Sequence, residues 1–173
     1  MTALDVGLFV VRLAVGLTFF AHGAQKVLGW WQGSGFEKWT AVIGRQGLRP
    51  ARFWAAVGAF IEFICGPLLA LGLLTPIAAS LLIAQCAYII AKVHWPKGFW
   101  NRDGGIEFAL QLLAASLLLA ASGPGAISLD ALLGLAFSSE LRLAIFLVAT
   151  AGMLVALALP RFLGATPDQS RAA

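Results

Sequence analysis

The sequence predicts an all-α, polytopic transmembrane helix bundle. The first observation is composition: 60% of the 173 residues are hydrophobic and only 12% are charged, with a mean hydropathy of +0.88. A soluble domain is about 45–50% apolar and about 25% charged. The second is spacing: the apolar residues gather into five runs of roughly 20, the length that crosses a hydrocarbon core of about 30 Å. The third is that these runs are continuous rather than alternating, which selects helices over barrel strands.

The spans follow in order. The first covers 6–28 and is expected to remain as a membrane helix, since the chain start has no basic stretch and carries Asp5, and Arg12 lies within the apolar run. The second covers 53–74. Thr75-Pro76 then reads as a tight turn, with Thr75 as N-cap and Pro76 at the first helical position of the third span, 76–93. The fourth covers 104–121 and ends at the breaker Ser122-Gly123-Pro124-Gly125. The fifth covers 141–159 and stops at Pro160. Residues 161–173 are small and polar and read as a disordered tail. Between the first two spans, Phe36, Trp39, Val42 and Ile43 recur at helical spacing. They predict a short amphipathic helix in the membrane interface, with Trp30 and Trp31 at its boundary.

Lys and Arg set the orientation. Lys26, Lys38, Arg45, Arg49 and Arg52 follow the first span, and Lys92, Lys97 and Arg102 follow the third. Both loops lie on one side, which the positive-inside rule makes cytoplasmic. The N-terminus is then outside and the C-terminus inside, as in a bacterial inner membrane. The net charge of +4 and pI near 9.6 come from this asymmetry. It implies contact with the lipid bilayer and its anionic headgroups. Nucleic-acid binding is excluded, because the chain has no separate basic domain.

Polar residues at membrane depth are the candidate site. A carboxylate there costs roughly 2.5–3.5 kcal/mol on insertion scales, so Glu62, in the second span, needs a partner or a task. Arg12 is the expected partner: at 1.5 Å rise per residue the two differ in height by only about 5 Å. The pair can fix helix register or wall a ligand pocket. Nearer the basic face, His22 and Lys26 share a helix face, His94 ends the third span, and Asp103-Gly104-Gly105 opens the fourth before Glu107 and Gln111. These predict a polar pocket between the first, second and fourth spans. Within the second span, Pro67 frees the carbonyl of Phe63 next to Glu62. Cys65 and Cys86 lie in apolar runs with no C-x-x-C motif and read as small buried hydrophobes. No metal-ligand set is present in the sequence, and no cofactor is evident. Haem ligation by His22 and His94 is disfavoured because both lie near one face.

The ordered pattern Arg12, Gly16, Phe19, His22-Gly23, Lys26, Phe36, Gly44, Glu62, Leu73-Leu74-Thr75-Pro76, His94, Gly98-Phe99, Gly104-Gly105-Ile106-Glu107 and Gly123-Pro124-Gly125 followed by Ser128-Leu129-Asp130 resembles the DoxX family of small membrane proteins. The resemblance implies a four-helix DoxX-like membrane domain over 1–135. The span in 136–160 is then an additional C-terminal helix, which has no ionisable residue from 143 to 159 and small residues suited to packing. It is read as structural, or as a partner surface. The family takes its name from a relative of a subunit of an archaeal thiosulfate:quinone oxidoreductase, and some bacterial members are linked to thiol and oxidative-stress handling.

Two functions are consistent with these residues. One is a redox-associated membrane subunit that binds a quinone or another small lipophilic ligand. Arg12 and Glu62 would form its deep wall, and His22, Lys26 and Glu107 would carry protons near neutral pH. Electrons would then pass through a soluble or membrane redox partner. The other is a non-enzymatic scaffold or small-molecule carrier whose buried charges hold the bundle together. The chain shows no nucleophile or nucleotide motif that would name catalytic residues.

Overall fold

The computed structural model describes residues 1–162; the tail expected over 161–173 falls almost entirely outside them. Seven helices run in chain order: α1 (Ala3–Val27), α2 (Gly35–Arg45), α3 (Ala51–Leu71), α4 (Thr75–Ile89), α5 (Glu107–Ser122), the single turn α6 (Leu129–Leu132) and α7 (Ser139–Phe162). There are no strands among the described residues. Four helices are long and apolar enough to cross a membrane: α1, α3, the α4 segment extended to Lys97, and α7. The fourth expected span is shorter than 104–121 implied. α5 has 16 residues, about 24 Å at 1.5 Å per residue. Gly104 and Gly105 belong to the preceding loop, because Gly105 packs so closely on Gly98 and Phe99 that a Cβ would lie 2.6 Å from the Phe99 carbonyl. At the other end of the chain, α7 does not stop at Pro160 but continues to Phe162.

Two close approaches set the register of the antiparallel α1–α3 pair. A Cβ on Gly16 would sit 2.5 Å from the backbone of Gly66 and Ala70, and one on Gly23 would sit 2.6 Å from Phe63 Cα. Small residues let membrane helices pack backbone to backbone where lipid gives no hydrophobic drive. Gly23→Ala is therefore expected to force the helices apart. We expect it to lower the melting temperature in detergent and broaden the size-exclusion peak; a wild-type melting curve would contradict this register.

The core has two parts. Near the end of the bundle where α1 begins, Leu8, Val15, Phe19, Leu69, Leu82 and Leu119 pack together with both cysteines. Cys65 and Cys86 are buried and free, as the sequence implied. Nearer the basic face, Ile43 and Leu48 from the α2 segment pack with Ala55, Tyr88 and Ala156. The amphipathic helix expected at 36–43 is thus α2, and it is more than an anchor: Trp39 Nε1 donates to the Ala55 carbonyl of α3 at 3.0 Å. α7 packs mainly along α4.

The α3–α4 turn is closed from a distance. Gly72 adopts φ +66° and Leu74 φ +50°, and Leu74, not Thr75, is the N-cap of α4. The capping acceptor is Asp130, whose carboxylate takes the backbone N–H of Leu74 at 2.7 Å and of Thr75 at 2.9 Å. The Thr75 hydroxyl is left without a partner.

Candidate functional site

The expected Arg12–Glu62 pair does not form. Gly16 lies against Gly66 and Ala70, and Gly23 lies against Glu62 and Phe63, so Arg12 falls beside Ala70. Glu62 is eight residues along α3, about 12 Å away. Arg12 is 1% exposed. Its Nε donates to the Ala70 carbonyl at 3.2 Å, and its two terminal nitrogens donate to the carbonyls of Pro124 and Ile127. It therefore ties the segment after α5 to the α3 end. Asp130, fully buried, supplies the nearby negative charge. This cluster is architectural. Sequence reading placed Asp130 in the family pattern but gave it no role. Its signal was the Ser128-Leu129-Asp130 run directly after the Gly-Pro-Gly breaker.

Glu62 has a different partner. Lys26 Nζ reaches both carboxylate oxygens at 2.5 Å, and the Glu62 side chain is 2% exposed against 15% for Lys26. The ammonium also lies 4.7 Å from the Trp39 ring centroid, so α2 closes the pair from the basic side. Such a contact adds about 0.5–2 kcal/mol, more when desolvated. Gln85 of α4 completes the group, its Nε2 donating to Glu62 Oε1 at 3.4 Å. Gln85 was absent from the sequence-derived set, although a carboxamide within the apolar run 76–93 was the signal for it.

The other candidates scatter. His22 is half-buried, its ring edge-on to Phe108 of α5. His94 Nδ1 meets the Gly104 carbonyl at 2.6 Å, and Glu107 accepts from the Asn101 N–H at 2.9 Å; both organise the loop between α4 and α5. Gln111 is exposed on the apolar surface. Of these, His22 stays near the Lys26–Glu62 pair, within range of both charges, whereas His94 and Glu107 serve the α4–α5 loop. No group of three or more His, Cys, Asp or Glu able to hold a metal occurs among the described residues.

The large cavity lies elsewhere. A cleft of about 810 Å³ opens between α2, α3, α4 and α7, within the range of ligand sites. Its walls are apolar, with Ile61, Leu81, Ile145 and Met153 among them. Its polar groups are Gln85, Tyr88 and Gln46, and the Tyr88 hydroxyl donates to Gln46 Oε1 at 3.0 Å. No charged side chain lines it. Gly58, one turn from Glu62 on α3, opens the cleft toward the polar group: a Cβ there would stand 3.2 Å from Gln85 Nε2 and 3.8 Å from Trp39. α7, read from sequence as structural or as a partner surface, is thus a wall of this cleft.

The DoxX family profile matches residues 7–95, which takes in Arg12, Lys26, Glu62 and Gln85. The chain belongs to the DoxX family. It is 35% identical over 132 residues to the "uncharacterized membrane protein Rv3486" of Mycobacterium tuberculosis, covering 69% of this chain and 77% of that protein. It is 32% identical over 126 residues to the "putative oxidoreductase CatD" of Bacillus subtilis, covering 73% of this chain and 86% of that protein. No solved structure matches. The DoxX match ends at residue 95, so α7 and the part of the cleft wall that it supplies lie beyond it.

Proposed function

We propose that this DoxX protein is a bacterial inner-membrane protein, N-terminus outside, that binds a quinone or another small lipophilic ligand in the α2–α3–α4–α7 cleft as part of a redox system. The observation that carries this reading is the join between the cleft and the buried ion pair. An apolar volume suited to a lipophile ends on Gln85, and Gln85 is hydrogen-bonded to Glu62 and through it to Lys26. A ligand head at Gln85 would sit one hydrogen bond from the buried Lys26–Glu62 pair, which reaches toward the basic face. Glu62 keeps the deep polar position first expected of it, with Lys26 in place of Arg12 as its partner. The name of the Bacillus relative, a putative oxidoreductase, supports a redox setting. Electrons would come from a soluble or membrane partner, since the chain's own residues include no electron carrier.

Photolabelling with an azido-quinone in detergent tests the site. Adducts should fall within 77–93 and 141–156, be displaced by unlabelled quinone, and disappear in Gly152→Trp, which fills the α7 side of the cleft. Adducts around His22 and Glu107 instead would move the site. Labelling that does not saturate would favour a scaffold whose cleft holds only lipid.

A further inference from the structure

The hydrogen bonds around the cleft point to the kind of head group it accepts. We propose that it selects ligands carrying a hydroxyl donor, such as a phenol or the quinol form, over those offering only a carbonyl or ether oxygen. The inference rests on reading the cleft as a ligand site and adds which chemistry that site prefers.

An ionised carboxylate only accepts hydrogen bonds. Glu62, held by Lys26 at 2.5 Å on both oxygens, therefore fixes the neighbouring amide. One proton of the Gln85 NH₂ goes to the carboxylate, which leaves the amide oxygen and the second N–H. That oxygen would lie 3.7 Å from a Cβ at position 58, so the glycine leaves it reachable from the cleft. One turn along α4, Tyr88 has given its only proton to Gln46 Oε1, and its hydroxyl oxygen keeps acceptor capacity. The two acceptors are three residues apart on one helix, about 4.5 Å in rise. They stand in an otherwise apolar cleft with no charged lining, where an acceptor left without a donor costs about 1–3 kcal/mol. A ligand hydroxyl supplies that donor, while its own oxygen accepts from the Gln46 amide. A ligand oxygen without a proton could accept from an amide N–H but would leave the Gln85 and Tyr88 oxygens without a donor. Sites built to hydrogen-bond a hydroxyl discriminate strongly against analogues that lack it.

A redox-inert pair isolates this effect. Binding of 4-decylphenol and of its methyl ether to the purified full-length protein in detergent would be measured by isothermal titration calorimetry. The phenol is expected to bind at least tenfold tighter. Gln85→Leu should bring the two affinities together, mainly by weakening the phenol. Tyr88→Phe should shrink the difference by a smaller factor and serves if Gln85→Leu does not fold. Equal binding of the two compounds, or preference for the ether, overturns the donor selectivity and leaves the cleft a lipophile site. Failure of both compounds to bind the wild-type protein overturns the ligand-site reading itself.

Discussion

Lys26→Met is expected to cost about 3–5 kcal/mol of stability, the range seen when one partner of a buried ion pair is removed. The asymmetry of the pair fixes which single change is worse. Glu62 is 2% exposed on a short side chain, whereas Lys26 is 15% exposed and can extend its ammonium toward the basic face. Glu62→Gln should therefore cost less than Lys26→Met. The double variant should recover most of the loss, because it leaves no uncompensated buried charge. Unfolding of detergent-solubilised protein in graded SDS would measure all three. Singles within about 0.5 kcal/mol of wild type, the scatter of independent sites, would show that the pair is not formed. Arg12→Gln combined with Glu62→Gln should be simply additive, since about 12 Å of helix separates the two.

Arg12→Gln should be at least as damaging, by a different route. The guanidinium holds three carbonyls, at Ala70, Pro124 and Ile127, and each buried acceptor left unpaired costs about 1–3 kcal/mol. A glutamine amide cannot span all three. Asp130→Asn should also destabilise the protein, because only a carboxylate can accept from both Leu74 and Thr75 N–H while facing the Arg12 charge. The expected signature is local: limited proteolysis should cut the 123–135 segment before any helix. Protection of that segment equal to wild type in Arg12→Gln would contradict the tie.

The helices were legible because each is an apolar run bounded by a break. α2 was legible because four apolar residues kept helical spacing across a polar loop. The partners of the buried charges were not legible. Estimating depth from span ends placed Arg12 near Glu62, but the true register comes from glycines whose contacts lie on another helix. Gly16 and Gly23 shift α1 along α3, exchanging Arg12 for Lys26 opposite the carboxylate. The role of Asp130 was hidden for a related reason: its run is visible, but the amides it caps lie 55 residues away. The cleft escaped notice because the α7 residues that line it carry no polar side chain to mark it. Its contribution is a surface, and a surface becomes visible only once α4 lies beside it.

The closure by Asp130 bears on how the chain is made. When α3 and α4 have been synthesised, the first amides of α4 still lack their acceptor, and Arg12 lacks two of its three carbonyls. Those groups become available only after α5 and the turn beyond it have left the ribosome. An arginine inserted at the start of biosynthesis thus waits for more than 110 residues before its hydrogen bonds are complete. The early helices are held in a provisional arrangement until the segment near residue 130 arrives, and α7 then assembles onto a bundle whose far end is already sealed.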